Sequence, residues 1–202
     1  MAEYELLLTG IGGQGVQLGA QVVARAATLE GREVMFFGIY GGMMRGGNTD
    51  STVVVADGPI TAPPVVSRAW SAIAMHDEFW EPLESKLRPD GVVLVNESTF
   101  GSEVTAPTNV VRLKATELAA EIGNPQAGTM VMVGAYSALT GLVGLDAVIE
   151  GMKESIPSYR SQHIEANERA LRAGHDAVTP GLYPAWKGAS ASERPSRGGV
   201  AV

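Results

Sequence analysis

The stretch Leu6-Leu7-Leu8-Thr9-Gly10-Ile11-Gly12-Gly13-Gln14-Gly15-Val16 leads from a short apolar run through a cluster of glycines into a segment with helical periodicity. The apolar run is typical of a buried strand, and residues 16–30 predict an amphipathic helix that ends at Gly31. A second apolar run at residues 33–37 predicts the next strand. Strand, glycine turn, helix and strand together indicate a βαβ unit near the start of the chain.

Three of these glycines have the spacing G-x-G-x-x-G, and each predicts a different property of the turn. Gly10 lets the backbone leave the strand in a conformation closed to residues with a Cβ atom, and Gly12 lets main-chain N–H groups approach an anion. Gly15 lets the helix pack closely on the strand. The N-terminus of the helix then faces a phosphate, pyrophosphate or carboxylate. A glycine-rich turn that binds nothing has the same spacing, so the motif alone leaves both interpretations open.

The segment after the second predicted strand argues against two common nucleotide sites. A fold that binds NAD usually carries an acidic residue about 20 residues beyond the glycines, where it holds the ribose hydroxyls. This chain has Met35-Phe36-Phe37-Gly38-Ile39-Tyr40 in that place, without an acid. No Gly-Lys-Ser/Thr follows the glycines either, so the sequence does not match a phosphate loop.

A second glycine-rich loop, Tyr40-Gly41-Gly42-Met43-Met44-Arg45-Gly46-Gly47-Asn48, occupies the place of the missing acid. The guanidinium of Arg45 lies between pairs of glycines, from where it can reach a phosphate or carboxylate with two hydrogen bonds. A solvated surface arginine is the alternative. The two methionines favour burial in the core, with contact to a partner as the other possibility.

Length and composition indicate a single globular domain with an appended arm. The chain has 202 residues, of which 45% are hydrophobic and 18% charged, which is enough to build a real core. A net charge of −7 argues against nucleic acid or an anionic membrane as a general partner, because both require a basic surface. Any anion must therefore be bound by a local site.

Cysteine and histidine, two of the common metal-ligating residue types, are scarce in this chain. The chain has no cysteine, which excludes disulfides and cysteine-held iron–sulfur clusters, and its three histidines lack a metal-ligand spacing. We therefore expect no metal site in this chain. The sequence also contains no apolar run of 18 residues and no export signal, from which we expect a cytoplasmic protein without a membrane segment.

Further along the chain, apolar patterns alternate between strand and helix periods. They predict strands at 50–56, 72–74, 92–95 and 109–113, and helices at 78–87, 116–122, 129–145, 145–155 and 161–173, the last ended by Gly174. His76 and Asp77 follow a strand, where ligands bind in parallel sheets, but without a third catalytic group a structural or solvated role is the better interpretation. Tyr183 and Trp186 predict that the first part of the arm docks on another surface, without indicating which one.

Four features taken together resemble the gamma subunit of 2-oxoacid:acceptor oxidoreductases, a family that includes the pyruvate, 2-oxoglutarate, 2-oxoisovalerate, indolepyruvate and aryl-2-oxoacid enzymes. The features are Gly10-Ile11-Gly12-Gly13-Gln14-Gly15, Tyr40-Gly41 with Arg45-Gly46-Gly47, Lys86-Leu87-Arg88-Pro89-Asp90-Gly91 before a strand, and the late helix with Asn167, Ala170 and Gly174. The resemblance covers about residues 4–178.

The resemblance implies an α/β domain of three layers, Rossmann-like, with a mostly parallel sheet and helices on both faces over residues 1–178, followed by an arm at 179–202. It also implies alpha, beta and ferredoxin-like partner subunits that carry thiamine diphosphate, Mg²⁺ and iron–sulfur clusters. Such complexes decarboxylate a 2-oxoacid oxidatively, pass the acyl group to coenzyme A, and deliver electrons to ferredoxin or NAD. The gamma chain is non-catalytic alone and lies on the coenzyme A side of the active site.

Carried over to this sequence, the family's two loops make the expected ligand-binding residues Gly10, Gly12, Gly13, Gln14, Gly15, Tyr40, Arg45, Gly46 and Gly47, with no catalytic residue and no metal ligand. Two other functions stay open. One is a free-standing nucleotide-binding oxidoreductase of Rossmann type, against which the missing acid counts. The other is a structural scaffold whose glycine loops form only turns and interfaces.

Overall fold

A six-stranded sheet forms the centre of the protein. The computed structural model describes residues 2–40, 46–60 and 66–186, with the side chains at 39 and 40 outside the description. The strands are β1 Glu3–Ile11, β2 Glu33–Tyr40, β3 Asn48–Ala56, β4 Ala69–Ala74, β5 Leu87–Asn96 and β6 Asn109–Leu113. The helices are α1 Val16–Leu29, α2 Glu81–Glu84, α3 Ala115–Glu121, α4 Gly128–Thr140, α5 Leu145–Ser155 and α6 Ile164–Asp176.

The sheet has the strand order β2-β3-β1-β4-β5-β6. Strands β1, β4, β5 and β6 pair in parallel, whereas β3 is antiparallel to both β1 and β2. The β1–α1–β2 crossover therefore skips one position, and β3 fills it. The chain moves to one side of β1 through α1 and to the other side through β4, so the order of the strands reverses between β1 and β4.

Helices cover the two faces of the sheet unequally. Leu6 and Leu8 of β1 face the main core, which is shared by α1, α3, α4, α5 and α6. Leu7 faces a smaller cluster built from α2, Trp80 and Phe100. The expected α/β fold with a mostly parallel sheet and helices on both faces is confirmed. On the face of Leu7, the helical layer consists of the short helix α2.

Helix α4 is the central element of the main core, because all of its residues are buried. It packs on α6 through two glycines: a Cβ atom on Gly134 would lie 1.9 Å from the carbonyl oxygen of Leu171, and one on Gly174 would lie 1.9 Å from that of Val131. Helices α4 and α6 therefore pack closely through small residues. Gly174 does not end its helix as predicted, since it lies within α6 and allows this contact.

The region expected to be a helix at 78–87 folds differently. Helix α2 has only four residues, with Pro82 in its first turn, and β5 begins at Leu87. Leu87, expected as the last residue of the helix, therefore pairs with Ala69 in the sheet. Gly91 lies inside β5 where a Cβ atom would approach the Trp70 carbonyl oxygen to 2.1 Å, so this glycine accommodates the irregular pairing of β4 and β5.

Two predicted helix ends were also wrong. Helix α4 stops at Thr140 because Gly141 adopts a left-handed conformation, with φ of 57°, instead of continuing to residue 145. Helix α6 begins at Ile164, after a 3₁₀ segment at Ser158–His163 that occupies the predicted first turn. The predicted helices at 16–30 and 145–155 agree with α1 and α5 to within one residue.

Residues 181–186 form a strap across the end of α4. The backbone N–H groups of Gly181, Tyr183 and Ala185 donate to the last carbonyl oxygens of α4, at 2.8, 3.0 and 2.8 Å. Trp186 donates from Nε1 to the Leu142 carbonyl oxygen at 3.0 Å. The first part of the arm thus docks as predicted, while the division of the chain at residue 178 stays a prediction. No helix within the described residues is long and apolar enough to cross a bilayer.

Candidate functional site

The first glycine turn is held closed by the side chain of Gln14. Its Oε1 accepts a hydrogen bond from the Ile11 N–H at 2.9 Å, and its Nε2 donates to the Met75 carbonyl oxygen at 3.4 Å. A Cβ atom on Gly10 would lie 2.5 Å from Gln14 Oε1 and 2.9 Å from Val16 Cγ2, so a side chain there would displace the Gln14 amide from this turn. This corrects the sequence interpretation, because the positive φ angles belong to Gly13 and Gly15, at 106° and 81°.

Close packing of α1 depends on a glycine that the motif does not include. A Cβ atom on Gly19 would lie 2.7 Å from Thr129 Cγ2 and 3.6 Å from Leu8 Cδ2. Gly15, which was expected to fill this role, instead precedes α1 in a left-handed conformation. No side chain caps α1 and no acidic residue lies in its first turn. The N-terminus of α1 therefore keeps its positive end uncompensated by neighbouring side chains.

The first glycine loop contacts the end of the second, at Gly46 and Gly47. The Gly12 N–H donates to the Gly47 carbonyl oxygen at 2.8 Å, and Ile11 pairs with Asn48 in the β1–β3 ladder. A Cβ atom on Gly12 would lie 3.3 Å from the Gly46 nitrogen, so the absent side chain lets the loops approach. One region of the structure thus contains most of the expected ligand-binding residues: Gly10, Gly12, Gly13, Gln14, Gly15, Gly46 and Gly47. Arg45 and the Tyr40 side chain fall outside the described residues.

A pocket opens on the other side of the first loop, where the strand order reverses. Its volume is about 510 Å³, and we call it the edge pocket. It is lined by Gly13, Gln14, Met75, Thr99, Thr116, Pro125, Gln126, Gly128 and Thr129. These residues follow β1, β4 and β5, lie in the 3₁₀ segment Pro125–Ala127, or begin α3 and α4. Ligands of open α/β sheets bind in this kind of crevice, at the carboxyl ends of the strands.

Asn96 organises the wall of the edge pocket, and the sequence analysis did not identify it. This fully buried residue ends β5. Its Nδ2 donates to the hydroxyl oxygens of Thr99 and Thr116 at 2.8 and 2.9 Å, and its Oδ1 accepts from the Ala115 N–H at 3.1 Å. One amide therefore fixes two pocket hydroxyls and the start of α3. The available signal was a polar residue at the end of the apolar run Val92-Val93-Leu94-Val95.

His76 and Asp77 do not line the edge pocket, and both side chains accept hydrogen bonds from nearby residues. The Glu78 N–H donates to His76 Nδ1 at 3.1 Å. Asp77 Oδ2 accepts from the Gly101 N–H at 3.0 Å and from the Ser102 hydroxyl at 2.9 Å. Burial by itself raises the pKa of Asp77, but these hydrogen bonds lower that pKa further than burial raises it. The structural interpretation of this pair is therefore favoured.

Comparison with known proteins identifies the family. A model described as pyruvate ferredoxin/flavodoxin oxidoreductase matches residues 5–177. The chain belongs to the pyruvate ferredoxin/flavodoxin oxidoreductase family. Within this family it is 31% identical over 178 residues to the 2-oxoglutarate synthase subunit KorC of Methanocaldococcus jannaschii, which covers 86% of this chain and 93% of that protein.

Two solved structures of the oxidoreductase family have the same fold. The gamma subunit of a keto/oxoacid ferredoxin oxidoreductase from Geobacter sulfurreducens is 25% identical, covers 87% of this chain and 96% of its own, and has a TM-score of 0.76. The 2-oxoglutarate:ferredoxin oxidoreductase from Magnetococcus marinus, with 2-oxoglutarate, coenzyme A and succinyl-CoA bound, has a TM-score of 0.77. It is 18% identical, so it shows the fold alone, and the match covers 89% of this chain and 32% of that one. The resemblance to the gamma subunits is thus confirmed.

Groups that could bind a metal are absent from the part of the chain that the structure describes. No set of three or more His, Asp or Glu side chains comes together in residues 2–40, 46–60 and 66–186. The sequence has no cysteine that could hold an iron–sulfur cluster. The edge pocket is lined by backbone, hydroxyl, amide and apolar groups.

Proposed function

We propose that this chain is the gamma subunit of a 2-oxoacid:ferredoxin oxidoreductase that converts a 2-oxoacid oxidatively into its acyl-CoA. The observation that carries the proposal is the contact between Gly12 and Gly47, which brings two backbone-lined loops together next to the uncapped N-terminus of α1. Such a surface favours an anion but contains no nucleophile paired with a base. The chain therefore assists a reaction that other subunits carry out.

In the assembled enzyme, the loops contribute the coenzyme A side of the active site. Backbone N–H groups close to the ligand come from Gly12, Gly13, Gly15, Gly46 and Gly47. Arg45 supplies a guanidinium for one of the phosphates of coenzyme A. Gln14 and Gly10 act through the shape of the turn, because Gln14 binds Ile11 and Met75. Tyr40 flanks the second loop. The Magnetococcus marinus enzyme, which was solved with coenzyme A, contains this fold within a longer chain.

The remaining cofactors belong to the partner subunits in this proposal. Alpha, beta and ferredoxin-like chains hold thiamine diphosphate, Mg²⁺ and iron–sulfur clusters, and they pass electrons to ferredoxin or NAD. The absence of cysteine from this sequence fits that division, because cluster ligands must come from another chain. The complex works in the cytoplasm.

The subunit proposal is tested by expressing the chain alone and together with its partners. We expect a complex that oxidises a 2-oxoacid in the presence of coenzyme A, and no activity from the isolated chain. Oxidation of a 2-oxoacid by the isolated chain would overturn the proposal. Binding of NAD(P) by the isolated chain, coupled to reduction of a substrate, would favour the free-standing enzyme.

The anion site is tested by Arg45→Ala in the assembled complex. We expect a higher KM for coenzyme A with kcat and assembly retained, because the guanidinium binds substrate and transition state alike. Arg160→Ala is the matched control, since Arg160 is exposed and precedes α6. A scaffold function is favoured by one observation, namely that both ends of the Gln14 side-chain amide bind groups of the protein itself, Ile11 and Met75. A scaffold would show lost assembly, or no effect, in the Arg45 variant.

A further inference from the structure

We propose that the outer edge of β2 pairs with the same edge of a second copy of this chain. We call this surface, which runs over Glu33–Tyr40, the β2 edge. In the dimer the two β2 strands run antiparallel and are related by a two-fold axis at Phe37, so the two sheets continue into each other. The proposal goes beyond the subunit function and does not depend on it, because it uses neither the edge pocket nor the Gly12–Gly47 contact.

The β2 edge lacks the features that normally keep edge strands apart. β2 is the first strand in the order of the sheet, and its eight residues pair with β3 in one continuous register without a bulge. Within the described residues, no strand pairs with its other side. From Val34 to Tyr40 the strand contains no proline and no charged residue. A long, regular and apolar edge with free backbone groups is a template for pairing with another strand.

The opposite edge of the sheet, formed by β6, is protected. β6 has only five residues, and Pro107 lies two residues before it. Arg112 lies within the strand, is exposed, and donates to the Ser102 carbonyl oxygen at 3.0 Å. Short length, proline and charge are common ways of protecting an edge strand. The contrast within one sheet indicates that the β2 edge, and not the β6 edge, is available to a partner.

Exposed aromatic rings lie along the β2 edge. Phe36 is 43% exposed and Phe37 is 46% exposed. Because successive side chains of a strand point to opposite faces, one ring lies on each face of the sheet. A strand that continues the sheet covers both rings, whereas a helix packed on one face covers one of them. The exposed rings therefore favour a strand as the occupant of the β2 edge.

The spacing of Phe36, Phe37 and Gly38 defines the register of the pair. A two-fold axis normal to the sheet keeps each face on its own side, so residues of the same face come opposite each other. With the axis at Phe37, the two Phe37 rings meet, and Phe36 of each copy lies opposite Gly38 of the other. A Cβ atom on Gly38 would lie 3.6 Å from the nearest described atoms, Gln17 Nε2 and Phe36 Cζ, so this exposed position has space for a ring.

This register selects a second copy of the chain as the partner. An aromatic ring opposite a glycine at the edge of a sheet stabilises strand pairing. Phe36 and Gly38 lie two residues apart on the same strand, so the axis at Phe37 forms this pair twice. An axis at Phe36 would instead place Val34, which is already half-buried, opposite Gly38. The β2 edge is therefore complementary to itself in one register.

The charges near β2 favour the antiparallel arrangement. Glu33, at the start of the strand, is its only charged residue. Arg32 precedes it, but the Arg32 guanidinium lies 3.9 Å from the centre of the Trp186 ring in the same chain. A parallel pair would bring two Glu33 side chains together, whereas the antiparallel pair places them at opposite ends of the interface. Like charges directly opposite each other destabilise a strand pair, so the parallel alternative is disfavoured.

The dimer should be weak and sensitive to salt. One strand from each copy forms an interface below about 1,200 Å², the size range of transient complexes. Each chain carries a net charge of −7, which adds a repulsion that salt screens. We therefore expect a dissociation constant in the range of roughly 1 to 100 µM, which decreases as the salt concentration rises.

The first test is analytical ultracentrifugation of the full-length chain from about 1 µM to about 1 mM. Phe37→Lys brings two like charges together at the axis and should raise the dissociation constant at least about tenfold. Val110→Lys is the matched control, because Val110 is 38% exposed and lies on β6 at the opposite edge. The same change of charge there should leave the dimer intact. Thermal unfolding checks that both variants keep the fold.

The second test is a disulfide that reports the register. The chain has no cysteine, so one introduced thiol can cross-link only to a second copy. Phe37→Cys places two thiols opposite each other, with Cβ atoms about 5 Å apart, and should form a covalent dimer on mild oxidation. Met35→Cys is the control on the same face of β2, where the two thiols lie about 13 Å apart and should not react.

A concentration-dependent dimer that Phe37→Lys disrupts, Val110→Lys preserves and Phe37→Cys cross-links supports the proposal. A monomer at every concentration, a dimer that Phe37→Lys leaves intact, or a dimer equally sensitive to Val110→Lys overturns it. Hydrogen exchange of the β2 amides identifies another occupant. Protection in the assembled complex, but not in the chain alone at high concentration, overturns the proposal and assigns the β2 edge to a partner subunit. Assembly with the partner subunits is measured separately, so failure of the subunit function is distinguishable from failure of the dimer.

Discussion

Gly134 of α4 and Leu171 of α6 meet so closely that a Cβ atom on the glycine would lie 1.9 Å from the leucine carbonyl oxygen. The relation is repeated one turn away by Gly174 and Val131, at the same distance. The two helices therefore touch backbone to backbone, and no rotation of a side chain can make room for a methyl group. The start of α4, which borders the edge pocket, is positioned by this contact.

We predict that Gly134→Ala lowers the free energy of unfolding by about 2 to 3 kcal/mol, because overpacking outweighs the better helix propensity of alanine. Urea denaturation of the full-length chain measures the difference. Gly128→Ala is the matched control within the same helix, where the neighbouring atoms lie at 3.4 Å or more and no loss is expected. Equal stability of the Gly134 variant and the wild type would show that the helices can separate without cost.

Asn96→Ala should destabilise the protein by about 2 to 4 kcal/mol, because it leaves several buried polar groups without a partner. Asn109→Ala is the control: Asn109 donates to the Gly91 carbonyl oxygen at 2.8 Å from an exposed position, and we expect a loss below about 1 kcal/mol. Chemical denaturation compares the two variants. A similar small loss in both would mean that water replaces the Asn96 amide.

Asp77 should make the protein sensitive to acid. The hydrogen bonds from Ser102 and Gly101 outweigh the effect of burial, so the pKa of Asp77 lies below its ordinary value of 3.8. A lowered pKa stabilises the folded state above pH 3.8, and this contribution is lost as the pH falls through the folded-state pKa. Between about pH 5 and pH 2, wild type should therefore lose more unfolding free energy than Asp77→Asn. Parallel curves for the two proteins would refute the assignment.

Glu5 should affect the pH dependence of stability in the opposite direction from Asp77. Burial raises its pKa above 4.5 by more than Arg88, at 3.5 Å, and the Trp70 N–H, at 3.1 Å, lower it. A raised pKa contributes stability that is complete below pH 4.5 and lost as the pH rises through the folded-state value. Glu5→Gln should thus gain stability relative to wild type between pH 4 and about pH 7. Denaturation at both pH values measures this, and a relative loss at pH 7 would show that the Arg88 pair dominates.

The strap at 181–186 should be part of the folded domain. A chain that ends at residue 186 retains the hydrogen bonds from Gly181, Tyr183 and Ala185 to α4, and a chain that ends at 178 loses them. We expect the shorter chain to be less stable by about 3 kcal/mol, from roughly 1 kcal/mol per hydrogen bond. Thermal and urea denaturation of the two truncated chains provide the comparison. Equal stability would place the domain boundary at residue 178.

The sequence predicts single helices well and the pairing of distant strands poorly. The apolar period defined α1 and α5 because each helix buries one face made of residues close in sequence. The antiparallel β3 between β1 and β2 was not expected, since strand order depends on pairing partners and not on the period of either strand. The helix predicted at 78–87 was wrong for a similar reason. An apolar residue such as Leu87 fits the buried face of a helix and a buried strand equally well, and in the structure it pairs in β5.

Part of the candidate site was likewise predictable from the sequence, and part was not. The glycine loops were found from their spacing, because backbone conformation and close approach require glycine directly. Their individual roles were assigned less well, since Gly10 is limited by Gln14 and not by its own φ angle. The edge pocket gathers residues from positions 13 to 129, and only the three-dimensional fold brings these together.

The strap also joins the two ends of the described domain, since the Tyr4 hydroxyl donates to the Ala185 carbonyl oxygen and the Tyr4 ring packs edge-on against Trp186. Both ends therefore lie beside the beginning of β1, whereas the glycine loops and the edge pocket lie beyond its other end. A longer polypeptide could contain this domain as an insertion, because the chain would enter and leave at neighbouring points without crossing the edge that carries the glycine loops and the edge pocket. For the same reason, a circularly permuted chain could join these two ends through a short linker.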